Sequence, residues 1–393
     1  MLIRLLATAL LVGGIVQASP AQVERSAVRY HPEKAAEVVW LEPGADKSIY
    51  RHSRGLLFET PESLTAIDLP GLPIAVESSE YGSRVGALIV PSSGDGLILQ
   101  VYAGDGILEM EHMLPHHTDD RKPELALSDV SPHAVYARPS AGEVCFIAGD
   151  EASDANCITL FEDVSHALER NVLVEFSSDG RHVAVAAQRD SDHPNLSRRA
   201  SNAHLFLFDR RGSLIWRRPL DEPAIRSLVF LNTSLIGVST YDSYSTQDIK
   251  RQSRLYTISG DIFGVSEFGA DAFDVGDEHV LLITARTLAT IDLTNGESRI
   301  VYTVNSGSQI ISAATGVNDG GSGPTVLVGQ SVYAEEGFVF ESMRLLQLNS
   351  SGMTVEAYTV PASPHRSPFV WRDAEDQRIF LILDDAVHVY PSR

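Results

Sequence analysis

The sequence predicts an all-β chain built from a repeated strand unit, and three observations predict it. Short apolar runs with period-two alternation, bounded by Gly, Asp, Asn, Ser and Pro, recur almost from end to end. Amphipathic spacing of helical period is scarce, and the segment that resembles a helix, Asp163 to Arg170, allows about two turns. The apolar runs also end repeatedly in a small or acidic residue that is followed closely by glycine, which marks a tight turn between paired strands.

From the N-terminus, Arg4 precedes an apolar run, Leu5 to Val16, broken only by Thr8 and glycines. These are the charged and apolar regions of a secretory signal peptide, and the small residues of Val16-Gln17-Ala18 suit a cleavage site. We expect residues 1–18 to be the signal, a mature start near Ser19, and a secreted or periplasmic location. No cysteine follows the run to accept a lipid, and no later uncharged stretch approaches the roughly 18 residues a spanning helix needs.

Residues 19–120 hold seven or more strand-like runs between Glu37 and Met110. They read either as the first repeat units or as a separate β-sandwich, with the polar stretch His116-His-Thr-Asp-Asp-Arg-Lys-Pro123 as a linker to residues 121–393. Beyond it, Cys145 and Cys157 lie in β-like runs flanking a polar segment and could face one another across a hairpin. In an oxidising compartment they are expected to form a disulfide, since a redox pair would show Cys-x-x-Cys spacing.

The repeat is clearest in Val174-Glu-Phe-Ser-Ser-Asp-Gly-Arg-His-Val-Ala-Val-Ala-Ala187 followed by Leu205-Phe-Leu-Phe-Asp-Arg-Arg-Gly-Ser-Leu-Ile-Trp216. Its second strand type returns before Gly106, Gly260, Gly296 and Gly352. Taking the residue after each such strand as an anchor gives Asp68, Ala103, Glu162, Asp209, Ser259, Asp292, Asn349 and Pro391, with gaps centred on the length of a four-stranded unit. Units that cannot bury both faces alone must stack, and radial stacking protects their edges. The fold class is therefore all-β, a β-propeller of about seven blades, and an early strand such as Glu37 to Leu41 is expected to complete the last blade.

Ser177-Ser-Asp-Gly-Arg-His-Val-Ala-Val185, with Phe208-Asp209 through Gly212 to Trp216, resembles the blades of WD40-like and quinoprotein-like bacterial propellers. That resemblance implies a toroidal scaffold whose loops surround a central channel and serve protein–protein contact. The Gly-His and Trp-Asp dipeptides of WD40 repeats and the regular tryptophan docking motif of quinone-binding members are absent, so quinone dependence is not implied.

A net charge of −21 repels nucleic acid and anionic lipid, while 44% hydrophobic residues set the chain apart from disordered compositions. The partner expected is a protein, and calcium is the cofactor for which ligands can be named. Asp190, Asp192 and Asn195 cluster oxygen ligands in one long insertion, although the Gly and distal Glu of an EF-hand loop are missing. Imidazole and carboxylate groups at His112, His116 and Asp120 could converge on a transition ion, but their spacing matches no zinc signature and Pro115 opposes a helix there. Tyr241 and Tyr244, in the insertion Ser239 to Arg251, have the composition of a recognition loop.

Gly-x-Ser-x-Gly, Ser-x-x-Lys and His-Glu-x-x-His do not occur. The sequence therefore points to an exported, non-catalytic binding or scaffold protein. A secreted glycan or peptide hydrolase with its site at the channel is the alternative.

Overall fold

The structure, a computed structural model, describes residues 24–26, 37–42, 47–52, 55–60, 63–93, 96–114, 123–149, 155–161, 172–188, 203–221, 224–241, 251–276, 278–304, 306–315, 322–334, 337–360, 369–373, 378–383 and 386–391. These residues form eight four-stranded antiparallel sheets. Strand β1 (Glu24–Ser26) belongs to the last of them. Sheet 1 is β2 (Glu37–Glu42), β3 (Lys47–His52), β4 (Gly55–Glu59) and β5 (Leu64–Asp68); sheet 2 is β6 (Gly71–Ser78), β7 (Arg84–Pro91), β8 (Leu97–Ala103) and β9 (Leu108–Leu114). Sheet 3 is β10 (Leu125–Leu127), β11 (His133–Arg138), β12 (Glu143–Ala148) and β13 (Asn156–Thr159); sheet 4 is β14 (Leu173–Phe176), β15 (His182–Gln188), β16 (Ala203–Asp209) and β17 (Leu214–Pro219). Sheet 5 is β18 (Ala224–Leu231), β19 (Leu235–Tyr241), β20 (Arg251–Thr257) and β21 (Ile262–Ser266); sheet 6 is β22 (Ala272–Val275), β23 (His279–Ile283), β24 (Thr287–Asp292) and β25 (Ser298–Thr303). Sheet 7 is β26 (Gln309–Ala314), β27 (Ser322–Ala334), β28 (Gly337–Asn349) and β29 (Thr354–Val360); sheet 8 is β30 (Phe369–Asp373), β31 (Arg378–Leu383) and β32 (Ala386–Pro391), completed by β1.

Two expectations are corrected. Eight sheets, not about seven, lie among the described residues. The irregular gaps arose because Asp68 closes a fourth strand and Glu162 comes after one, whereas Ala103, Asp209, Asp292 and Asn349 close third strands. Residues Glu37 to Leu41 do not complete the last sheet either. They pair with Ser48–Arg51 in sheet 1, and Glu24–Ser26 pairs with Val387–Val389 instead.

The described residues divide into two compact units, one of residues 37–251 and 255–262, the other of 24–26, 252–254 and 263–391. In the first, alternate residues of adjacent sheets interlock. Phe58, Ile49 and Val85 lie between sheets 1 and 2, Leu99 and Tyr136 between 2 and 3, Phe146 and Phe208 between 3 and 4, and Leu207 and Ile236 between 4 and 5. In the second, Leu288 and Val326 join sheets 6 and 7, and Leu345 and Ile379 join 7 and 8. No sheet has two polar faces, so each is stable only beside its neighbour.

The recurring Asp or Asn and glycine of the sequence build the third-to-fourth-strand turns. Asp209 Oδ1 accepts from the backbone N–H of Arg211 and Ser213 (2.9 and 2.8 Å), and Asn349 Oδ1 accepts from Ser351 and Met353 (3.0 and 2.9 Å). Burial opposes ionisation of Asp209, but the hydrogen bonds from Ser213, Arg211 and Gly212 outweigh it and hold its pKa below the ordinary value. The turn contribution of Asp209 is therefore present above the ordinary carboxylate pKa and is lost as pH falls through the lower folded value.

First-to-second-strand turns repeat as well. Ser79, Ser128 and Ser177 each donate a backbone N–H five residues on, to the carbonyls of Arg84, His133 and His182. Asp129 then accepts from the hydroxyls of Ser79 and Ser83 (2.5 Å each) and from the Tyr81 amide, tying the turn of sheet 3 to that of sheet 2. The tight-turn ends of these sheets thus lie side by side.

Candidate functional site

Four glutamates gather on the first strands of the first unit. Glu77 lies in β6, Glu80 in the turn after it, Glu124 just before β10 and Glu175 in β14, and these three strands are neighbours. Glu77 and Glu175 each stand two residues before a turn serine, Ser79 or Ser177, so the repeat places them equivalently on two sheets.

Enclosure by protein, then the negative charges of Glu80, Glu77 and Glu124, push the Glu175 carboxyl up to about 8. Its side chain remains open to water, which screens this effect, so the glutamates line a wet recess rather than a sealed pocket. Burial, with Asp129 adding to it, also raises Glu80. Such a recess attracts cations and can hold a proton near neutrality. Sequence reasoning missed these residues because they are far apart along the chain. The spacing of forty-nine residues between Ser79, Ser128 and Ser177 was the signal that could have aligned them.

The next first strand differs in sign. Arg226 occupies the irregularity between Ile225 and Ser227 in the β18–β19 pairing. Burial and the neighbouring Arg251 lower its pKa, and the Tyr241 phenol opposes the shift. Tyr241, the last residue of β19, is therefore an electrostatic neighbour of Arg226.

The other sequence candidates are placed unevenly. His112 is half-buried in β9 opposite Leu99. His116, Asp120, Asp190, Asp192, Asn195 and Tyr244 lie outside the described residues. Among the described residues the cluster of metal-ligating atoms is Glu143 with Cys145 and Cys157, whose sulfurs lie within 4.8 Å of its carboxylate. Those sulfurs are bonded to each other, so neither offers the thiolate that a metal would need.

The disulfide is the expected hairpin bridge, with Cys145 in β12 directly opposite Cys157 in β13. Cys145 is buried against Leu99 and Tyr136, and Cys157 is exposed. Replacing both cysteines by alanine is expected to cost about 2–3 kcal/mol, through the freedom regained by the unfolded chain. Urea titration of the non-reduced protein and the variant measures it, and identical midpoints would show the bridge to be energetically idle.

No helix among the described residues is long and apolar enough to cross a membrane. No protein-family model matches the chain, and no curated protein matches it. Among solved structures the chain is similar to the Dos1 propeller, with 12% identity and a TM-score of 0.54 over 91% of this chain and 93% of that one. It is also similar to hydrazine synthase of Kuenenia stuttgartiensis (12% identity, TM-score 0.45, 83% of this chain and 98% of that one) and to apo AztD from Citrobacter koseri (10%, 0.45, 84% and 85%). With the repeated four-stranded sheets, the first of these likenesses shows that the chain has a distantly related, propeller-like fold.

Proposed function

We propose that the chain is an exported binding protein, a WD40-like propeller that presents the connections at one end of its sheets to a protein partner. One observation carries this reading, the unequal treatment of the two strand ends. At one end the described first-to-second and third-to-fourth turns of sheets 2, 4 and 5 are short and hydrogen-bonded within themselves. Opposite them leave the long connections of the first unit, 115–124, 160–172, 189–202 and 242–250. Those connections carry His116, Asp120, Asp190, Asp192, Asn195 and Tyr244, and Tyr241 and His112 stand on strands that run into them. A scaffold that is regular at one end and variable at the other suits recognition by its variable loops.

The test is capture of partners from an extract of the producing cell's envelope by the tagged mature chain, followed by affinity measurement with each partner found. Replacing 242–250 or 190–201 by a short Gly-Ser bridge should weaken binding at least tenfold without lowering the melting temperature. Unchanged affinity in both variants would remove this face from consideration. Calcium held by Asp190, Asp192 and Asn195 belongs to the same proposal, and calcium should then tighten partner binding.

The glutamate recess favours a second reading, hydrolysis of a glycan or peptide, because a carboxyl that keeps its proton near neutrality suits a general acid. Turnover of such substrates by the pure protein, lost in both Glu175→Gln and Glu124→Gln, would replace the binding reading.

A further inference from the structure

Sheet 7 departs from the other sheets in one respect: β27 and β28 run for 13 residues each, whereas second and third strands elsewhere reach at most eight. Pairing of β26 on β27 stops at Gln309 opposite Gly329, and pairing of β29 on β28 stops at Val360 opposite Met343. Residues Gln330–Ala334 and Gly337–Ser342 continue beyond both flanking strands and, among the described residues, pair only with each other. The register shifts between Gln330 and Ser331, where this ribbon leaves the sheet. At its root, Phe340 packs against the core shared by sheets 7 and 8.

A two-stranded ribbon is marginally stable in water, and a third strand is the usual remedy. Among the described residues no strand lies beside either outer edge of this one, so each presents a row of main-chain N–H and C=O groups, the condition that templates strand addition. Its sequence suits a strand, since Ser331-Val-Tyr-Ala-Glu-Glu-Gly-Phe-Val-Phe340 is rich in β-branched and aromatic residues. Two of the usual guards against edge pairing are missing from it, since no proline, lysine or arginine lies between Thr325 and Met343.

Charge selects the occupant. The same stretch contains Glu335, Glu336 and Glu341, and the whole chain carries −21. A second copy would bring like charge to the same edge, whereas a basic segment would be drawn to it. We propose that the ribbon formed by Gln330–Ala334 and Gly337–Ser342 takes a third β-strand from a partner protein, an extended apolar segment flanked by lysine or arginine. Main-chain hydrogen bonds supply the pairing, and the flanking positive charges supply the selectivity.

The inference deepens the binding reading but does not share its test, because the readout lies on the ribbon's own amides. Hydrogen exchange of the full chain is followed with and without the peptide Lys-Thr-Val-Thr-Val-Thr-Val-Lys. Saturable protection confined to residues 330–342 is expected, with at least tenfold weaker binding of the Glu-flanked counterpart. A variant in which 332–339 is replaced by Asn-Gly should keep the melting temperature and lose the peptide. Amides unaffected by saturating peptide, amides already protected in the free monomer, or equal affinity for the two peptides would each overturn the proposal. So would protection that appears only with self-association. Unchanged partner capture in the loop variants, with ribbon protection intact, would count against the loops alone.

Discussion

Gly352→Ala is expected to destabilise the protein by about 2–5 kcal/mol, combining the cost of a left-handed backbone at a residue with a β-carbon and that of overpacking. Gly352 sits at φ +79° in the turn after β28, and a Cβ there would overlap the carbonyl oxygen of Val301 in β25, in the preceding sheet. That neighbour is backbone rather than the end of a flexible side chain, so relieving the overlap means shifting a strand. Gly352→Asn separates the two effects, since asparagine tolerates the dihedral but not the overlap. Urea midpoints with unchanged slope measure both variants. If Gly352→Asn matches the parent, close approach between sheets 6 and 7 is not what the glycine serves.

The second large effect concerns pH. With a folded-state pKa raised to about 8 by enclosure and by Glu80, Glu77 and Glu124, Glu175 binds a proton in the native chain that the unfolded chain has already released. Stability contributed by the protonated form is complete below the ordinary glutamate pKa and declines as pH rises toward the folded value. Glu175→Gln removes the charge and keeps the shape. Its melting temperature should equal that of the parent at pH 4 and exceed it by a margin that widens to pH 8. Parallel melting curves across that window would mean that Glu175 titrates in the folded chain as it does in the unfolded one.

Much of the fold was legible in short stretches. Alternation in Val183-Ala-Val185 and Leu205-Phe-Leu-Phe208, closed by Asp209 and Gly212, states a hairpin because each residue's role is decided within a few neighbours. The bridge between Cys145 and Cys157 was legible for the same reason. By contrast, Glu24-Arg-Ser26 is short and polar with no pattern of its own, and only the distant strand Ala386–Pro391 makes it a strand. The glutamate recess was hidden similarly. Each member is an ordinary surface residue in its own sheet, and the site exists only once β6, β10 and β14 lie side by side. The length of β27 and β28 was not legible, because how far a strand runs beyond its sheet depends on where its flanking strands end and leaves no local mark.

The pairing of β1 with β32 also sets an order in time. Residue 24 lies opposite residue 389, so the last sheet joins segments separated by nearly the whole described chain. Loop-closure entropy rises only slowly with such separation, yet contacts this distant are the ones that hold back folding rates. Hairpins within each sheet can zip early, on the microsecond scale of local pairing. Sheet 8 has to wait until both segments have been made and have met. Until they meet the outer edge of β32 is bare, and a truncated chain lacking residues 24–26 is a species that other strands can capture.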